Sequence, residues 1–363
     1  MGDADRAEVR AHNAEMLTLA RESRGLTQAE LAERCGISQG RISKMESGLV
    51  HTTMDEIAAL SRALDYPDEF FFQTDRIYGP STSEFYHRKR SAVPAKVLDK
   101  IHAQLNIRRI HIAQMVRSAD LPSAFPRLDP EEFRGDINEI ARAVRAMWQL
   151  PRGPIKSVVT AIENAGGVVV RMRFDTEKVD AVSWWVPGNP PVFAVNETLP
   201  ADRERLTLCH ELGHLVMHAV PRPNMEEEAN QFAGSFLMPP GEIRADLRDV
   251  DLHRLAALKQ HWRTSMAAIL KQAMRTGAIS DGKARWIWIQ MGRMGYRTRE
   301  PAELDFPKET PSLLHELVDL HTRDLGYSPT EFADMLKLFE HEVLTSYPIE
   351  PQGPPPKRLR VVK

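Results

Sequence analysis

The stretch that decides the fold and the chemistry of this chain is TLCHELGHLVMH, residues 207–218. His210 and His214 are four residues apart in an apolar run with helical spacing, so on a helix they lie on one face, one turn apart. A tetrahedral Zn²⁺ needs this geometry from two of its ligands. Glu211 follows the first histidine and can reach a water on such an ion. We therefore predict that Glu211 is a general base.

A catalytic zinc site needs a third protein ligand, and residues 225–233, MEEEANQFA, offer one. This segment is predicted to be a second helix with an acidic first turn. Glu226 is the favoured ligand, because Asn230 lies one turn later on the same face and would orient the carboxylate by a hydrogen bond. Glu228 remains an alternative, whereas Glu227 is expected to point elsewhere. A simpler interpretation is that the glutamates only stabilise a helix N-terminus and face water.

HELGHLVMH followed by EEEANQFAGSFLMPP resembles the ImmA/IrrE zinc metallopeptidases, whose pattern is HELGH and then E-x-x-A-N-x-F-A-x-x-L-L-x-P. The resemblance covers roughly residues 130–290. It implies a zinc metalloendopeptidase with Glu211 as catalytic base and with Zn²⁺ held by His210, His214 and Glu226. Phe236 stands where the first leucine of the pattern is commoner, so the local packing should differ.

A third histidine, His218, lies one further turn along the same face. Its spacing along the helix axis favours a structural role or a supporting role behind the ligands, and a role as an extra ligand is the alternative. Cys209 points away from His210 and is expected to be a small core residue.

Composition limits the class of protein. The 363 residues are 42% apolar and 27% charged, which is typical of a globular protein, and the net charge of −2 neither favours nor excludes a polyanionic partner. Cys35 and Cys209 are the only cysteines and fall in different predicted domains, so no disulfide is expected. The N-terminus is polar and no apolar run approaches membrane-spanning length. The expected location is cytoplasmic, with no membrane partner.

The N-terminal region is predicted to be a bundle of short helices. Thr27 with Glu30, and Thr53 with Glu56, have the spacing of capping boxes that open helices. Gly36 ends the first of these helices and Ser38 caps the next, which predicts a helix-turn-helix. The segment LTQAELAERCGISQGRISKMESG resembles the Xre/Cro repressors over about 60 residues.

This second resemblance implies that residues 38–46 form a recognition helix in the DNA major groove. Within it, Arg41 is suited to guanine edges and Gln39 to adenine edges. The full set of candidate DNA contacts is Gln28, Ser38, Gln39, Arg41, Ser43 and Lys44.

A helical protein-interaction module is the alternative, because the segment lacks the basic excess of a strong electrostatic footprint. Gly40, inside the recognition helix, also costs about 1 kcal/mol of helix propensity. We therefore expect weak intrinsic DNA affinity that a homodimer would strengthen.

The overall class is α+β and mostly helical. We expect an N-terminal all-α helix-turn-helix domain, a zincin-like metallopeptidase domain with a small sheet, and helical C-terminal subdomains. The expected domains are a helix-turn-helix at 10–78, a linker and basic helix at 79–128, a metallopeptidase domain at 129–240, helical subdomains at 241–346 and a disordered tail at 347–363. Whether the basic residues at 87–90 and along the following helix contact phosphates or only face water is left open.

Three strands are predicted before the zinc helix, at 168–174, 181–186 and 192–196, as a short meander. The last is proposed as the edge strand that holds an extended peptide. Residues 281–310 are expected to be loop-rich with a short strand at 286–289, followed by two helices at 311–325 and 328–345.

Together these features favour a zinc-dependent endopeptidase fused to a DNA-binding domain. Resemblance suggests that the substrate is a partner transcriptional repressor, whose cleavage relieves repression, and fusion would raise the effective concentration beside DNA-bound repressors. Two alternatives remain: a DNA-binding regulator whose zinc site is a non-proteolytic sensor, and a toxin–antitoxin component.

Overall fold

The N-terminal helices form the expected helix-turn-helix. The computed structural model describes residues 12–79, 93–347 and 349. Four helices, α1 Ala14–Ser23, α2 Gln28–Cys35, α3 Gln39–Glu46 and α4 Met54–Leu64, precede a short 3-10 helix, Asp68–Phe72. Both predicted capping boxes are present. Gly36 ends α2 in the left-handed region at φ 72°, and Ser38 caps α3, so a tight turn joins the two helices.

The long helix α5, Ala95–Val116, connects this bundle to the rest of the molecule, and about half of its residues are buried. Lys96 Nζ lies 2.9 Å from a carboxylate oxygen of Glu30, and Lys100 Nζ lies 2.5 Å from Asp175. These two cations therefore pair within the protein, which favours a structural role over a phosphate-binding surface. The basic stretch at 87–90 lies outside the described residues.

The small sheet contains β1 Val168–Met172, β2 Ala181–Trp184 and β3 Val192–Asn196. Its order is β1-β3-β2, with β1 parallel and β2 antiparallel to β3. The predicted meander is therefore wrong. The connection from 173 to 180 is long enough to span two strand spacings, about 10 Å, and β3 fills the gap. Because β3 is paired on both sides, the prediction that it is a peptide-binding edge strand is also wrong. The two edge strands of this sheet are β1 and β2.

Both faces of the sheet are covered. Val169, Phe193 and Val195 point into the larger core, while Val168 and Val192 point into a second core shared with the helix-turn-helix and the last helices of the chain. Strands buried on both faces are apolar at every position rather than alternately, which explains the runs VVV and VFAV.

Helices on the larger-core side carry the metal-ligand motif. They are α6 Ile137–Met147, α7 Val158–Asn164, α8 Ala201–Met217 and α9 Met225–Leu237. The short α10, Pro240–Ile243, is followed by α11 Leu252–Trp262, α12 Met266–Arg275 and α13 Asp281–Arg293, and residues of α11, α12 and α13 extend the same core.

The strand predicted at 286–289 is wrong, and so is the loop-rich connection predicted from residue 281 for its first part, because residues 281–293 form α13. The alternation in WIWI suggested a strand, but Ala284, Ile287 and Met291 are buried at helical spacing, and Trp286 is exposed. Packing of this helical stripe outweighs the local period-2 pattern.

The last helices are α14 Leu313–Asp319, which continues into a π-helical turn, Leu320–Asp324, then α15 Pro329–Leu336 and α16 Glu340–Ser346. The helix predicted at 328–345 is thus two helices, because Lys337 adopts a left-handed conformation at φ 55° and ends the first. Residues 348 and 350–363 lie outside the described part. None of the helices described is both long and apolar enough to cross a membrane.

Candidate metal centre and nucleic-acid interface

Three side chains from α8 and α9 converge on one point. His210 Nε2 and His214 Nε2 are 3.0 Å apart. The carboxylate of Glu226 reaches to 3.7 Å from His210 Nε2 and 3.3 Å from His214 Nε2. Within the described ranges, these residues form the one group of three or more His, Cys, Asp or Glu side chains close enough to hold a metal ion.

The donor set fits Zn²⁺. A tetrahedral ion with bonds of about 2.0–2.1 Å spaces its ligand atoms about 3.3 Å apart, and the three separations of 3.0, 3.3 and 3.7 Å lie around that value. Two imidazoles and one carboxylate would leave one position of a tetrahedral ion for water or substrate, which is typical of catalytic rather than structural zinc sites.

Salt bridges hold the first turns of α8 in place. Glu204 accepts from Arg171 of β1 at 2.7 Å, and Asp202 lies 2.5 Å from Lys259 Nζ of α11. Arg205, which is buried, pairs with Glu309. Helix α8 is therefore held by contacts with both the sheet and the C-terminal part of the chain, so the two imidazoles have a defined position.

A glycine sets the distance between the two ligand-bearing helices. A Cβ on Gly213 would lie 3.1–3.2 Å from side-chain atoms of Phe232. This spacing is tighter than ordinary van der Waals contact, so α9 approaches α8 as closely as it does because residue 213 has no side chain. The close approach brings Glu226 within reach of both imidazoles.

The three neighbouring glutamates have different partners. Glu226 faces the imidazole pair, Glu227 pairs with Arg275 at 2.7 Å and is 72% exposed, and Glu228 lies against His218 at 2.8 Å. Asn230 donates to the backbone carbonyl oxygen of Glu226 at 2.7 Å. The expected hydrogen bond was to the carboxylate; the observed one instead steadies the helical turn that carries it.

Sequence reasoning missed the hydrogen-bond partner of Glu211. This carboxylate is 1% exposed and accepts a 2.6 Å hydrogen bond from the hydroxyl of Ser183, in the middle of β2. The one available signal was a lone hydroxyl residue in the apolar run AVSWW, because a buried hydroxyl needs a partner.

His218 also lies behind the metal-ligand pair rather than in it. Its Nδ1 is 3.0 Å from His214 Nδ1, and its Nε2 is 2.8 Å from Glu228. Burial lowers the pKa of His218 below its usual range, which favours a neutral imidazole.

Cys209 and Phe236, two further residues near the motif, have packing roles. Burial raises the pKa of Cys209 to about 12, so its thiol stays protonated and acts as a small core group. Phe236 stacks on Phe232 with ring centroids 5.5 Å apart and meets the edge of Trp148 at 5.9 Å. An aromatic cluster thus accommodates the larger side chain at this position.

The candidate DNA contacts are partly engaged within the helix-turn-helix. Gln28 Nε2 donates to Glu46 at 2.9 Å, and Gln39 Nε2 donates to Gln28 Oε1 at 2.8 Å. Glu46 also accepts from Arg21 at 2.6 Å. Gln39 lies at the exposed start of α3, and its hydrogen bond to Gln28 holds its amide on this exposed face.

Arg41 points toward α4 rather than outward. Its guanidinium makes two hydrogen bonds to Glu56, of 2.9 and 3.1 Å, and a third of 2.6 Å to the backbone carbonyl of His51. Lys44, by contrast, is exposed. Ser38 caps α3 and Ser43 is half-buried. Gln39 and Lys44 are thus the candidates best placed to reach DNA.

Fold and site together define a chain that joins a helix-turn-helix to a metallopeptidase-like domain. Residues 17–71 match the helix-turn-helix family model, and residues 162–274 match the Peptidase_M78 model, described as the IrrE N-terminal-like domain. No curated protein matches this chain at a significant level. The protein therefore carries a DNA-binding helix-turn-helix domain fused to an IrrE/ImmA-like metallopeptidase domain.

Proposed function

We propose that this protein is a zinc-dependent endopeptidase that cleaves a partner transcriptional repressor and so relieves repression. The observation that carries the proposal is the convergence of one ligand atom each from His210, His214 and Glu226, all within 4.8 Å of one another. Glu211 lies on the same helix as the two histidines, next to His210. Zn²⁺ would supply Lewis-acid chemistry at this point, lowering the pKa of a water molecule and polarising the scissile carbonyl.

The protein's own groups account for the proton transfers. Glu211 accepts a proton from the water that attacks the peptide carbonyl and returns it to the leaving amine as the C–N bond breaks. Ser183 holds one carboxylate oxygen of Glu211, at 2.6 Å, and leaves the other for water. This assignment makes Glu211 catalytic and Ser183 a positioning residue.

The N-terminal domain would bring the peptidase to DNA-bound substrates. Residues 17–71 contain nine acidic and six basic side chains, so one copy has little electrostatic attraction for phosphate. A homodimer would present two recognition helices and raise affinity through two linked contacts.

A regulator that senses zinc without proteolysis is the second candidate, and one observation favours it. The helix-turn-helix shares a hydrophobic core with α5, β1 and the last helices, and Arg24 forms a 2.9 Å ion pair with Glu342. A packed connection of this kind would let metal binding alter the DNA-binding domain.

Incubation of purified candidate repressors with the protein, followed by mass spectrometry, tests the proposal. Zinc-loaded wild type should generate new peptide termini, and Glu211→Gln should generate none while retaining zinc. Equal cleavage by Glu211→Gln would refute the mechanism. If neither cleaves and zinc alters a gel shift with the gene's own upstream DNA, the sensor function is favoured instead.

A further inference from the structure

A line of three side chains runs from the candidate metal point into the protein. His214 Nε2 faces His210 and Glu226, while His214 Nδ1 lies 3.0 Å from His218 Nδ1. His218 Nε2 then lies 2.8 Å from Glu228 Oε2. The side chains of His214 and His218 are 2% and 0% exposed, so the contact between them is shielded from water.

Metal binding through His214 Nε2 requires one arrangement of hydrogens along this line. His214 Nε2 must offer its lone pair, so His214 Nδ1 carries the hydrogen and donates it to His218 Nδ1. A carboxylate only accepts, so His218 Nε2 carries the hydrogen that meets Glu228.

We propose that His218 and Glu228 are positioning residues that fix the tautomer and the ring orientation of His214 for metal binding. The proposal rests on the zinc site proposed above. A hydrogen bond from the far nitrogen of a ligating histidine to an acceptor fixes its orientation and raises its basicity. Here the acceptor is a second imidazole backed by a carboxylate, so the charge of Glu228 acts on His214 through His218.

Both helices are built for this arrangement. His218 ends α8 with φ −115° and ψ 72°, outside the helical region, and its ring centroid lies 5.1 Å from that of His214. In the first turn of α9, Glu226 and Glu228 are two residues apart, so one faces the imidazole pair and the other faces His218. One acidic turn thus provides both a candidate ligand and the end of the supporting line.

Zinc affinity measured by competition with a chromogenic chelator tests the inference without relying on activity. In Glu228→Ala and His218→Phe, we expect the zinc dissociation constant to rise about 10–100-fold. Glu228→Gln should fall between Glu228→Ala and wild type, because an amide oxygen still accepts from His218 Nε2 but carries no charge. Glu227→Ala, an exposed neighbour of the same type, is the matched control and should not change zinc affinity.

A double variant and a metal spectrum distinguish an effect on the position of His214 from a general loss of protein stability. Because the three groups act in series, Glu228→Ala with His218→Phe should weaken zinc binding no more than His218→Phe alone. Cobalt-substituted Glu228→Ala should show an altered visible ligand-field spectrum, which a loss of stability alone would not produce. If His218→Phe fails to fold, the Glu228 variants still test the inference. The Glu228 carboxylate is partly exposed, so its replacement should be tolerated by the fold.

Unchanged zinc affinity in Glu228→Ala, with wild type binding zinc tightly, would overturn the inference and leave the proposed function standing. A wild-type protein that binds no zinc would overturn both. Equal weakening by the Glu227→Ala control would also overturn the inference, because the effect would then not depend on the line to His214.

Discussion

The hydroxyl of Ser183 donates a 2.6 Å hydrogen bond to Oε2 of Glu211, joining β2 to the helix that carries both candidate imidazoles. Both residues are at most 1% exposed, so the contact is shielded from water. A hydrogen bond to a charged group contributes about 1.5–3 kcal/mol when it is formed. The sheet therefore does more than support α8, because it holds the group proposed as general base in one orientation.

Replacing this serine should slow the chemistry without removing the metal. In Ser183→Ala the Glu211 carboxylate loses its donor and becomes free to rotate, so we expect kcat to fall about tenfold. Zinc content should stay at the wild-type level, because Ser183 is not one of the three candidate ligands and its hydroxyl donates to Glu211. Steady-state kinetics beside elemental analysis would check this, and an unchanged kcat would show that Ser183 does not position Glu211.

The close contact between α8 and α9 predicts an effect of adding one methyl group. In Gly213→Ala the new Cβ meets Phe232 at 3.1–3.2 Å and pushes α9 outward, carrying Glu226 away from the imidazoles. Overpacking of this kind costs about 1–3 kcal/mol, so both the melting temperature and zinc affinity should fall. Gly282→Ala, whose Cβ would meet nothing within 4 Å, is the matched control. Loss of stability in both variants alike would contradict the argument.

Arg41 and Lys44 should behave differently in the helix-turn-helix. Arg41→Ala removes a bidentate pair with Glu56 and should lower the melting temperature. Lys44→Ala should leave stability unchanged, weaken DNA binding and reduce its salt dependence by about one counterion. Gel shifts at several salt concentrations, with thermal unfolding, separate the two. A Lys44→Ala protein with wild-type DNA affinity would exclude this lysine from the interface.

A buried histidine at the junction of α5 and the last helices predicts a pH effect. His111 Nδ1 lies 2.8 Å from the hydroxyl oxygen of Tyr347, and burial lowers the pKa of His111 to about 3. The unfolded chain, with a pKa of about 6.5, takes up this proton first. The contribution of His111 to the free energy of unfolding is therefore fully present above about pH 6.5. It is lost as the pH falls toward 3, by at most about 1.4 kcal/mol per pH unit.

Denaturant unfolding between pH 6.5 and 5 measures this contribution. His111→Gln should show a flatter dependence of the free energy of unfolding on pH than wild type. The exposed His253→Gln is the control and should follow the wild-type curve. Parallel curves for wild type and His111→Gln would contradict the assignment.

Local sequence signals predicted the N-terminal helices and the helix that carries His210 and His214, because their determinants are short-range. The capping boxes at Thr27 and Thr53 and the helical spacing of His210 and His214 act within one or two turns. They predicted the helix-turn-helix and the pairing of two imidazoles on one face. The roles of the ligands, of the DNA contacts and the expected domain limits remain predictions.

Features that depend on distant segments were not accessible from the sequence. The predicted strand order was wrong because the apolar runs of β1, β2 and β3 do not indicate which strands pair with each other. The contact from Ser183 to Glu211 joins residues 28 positions apart, and the Arg41 pair depends on how α3 meets α4. In each case the partner is chosen by tertiary packing rather than by local pattern.

Elemental analysis of zinc in the purified protein tests the central claim most directly. After zinc loading and removal of loosely bound metal, wild type and Glu211→Gln should each retain about one zinc ion per chain. Glu226→Ala and His210→Ala should retain far less, while Glu227→Ala should match wild type. A wild-type protein without stoichiometric zinc, or a Glu226→Ala protein that holds a full equivalent as tightly as wild type, would contradict the account.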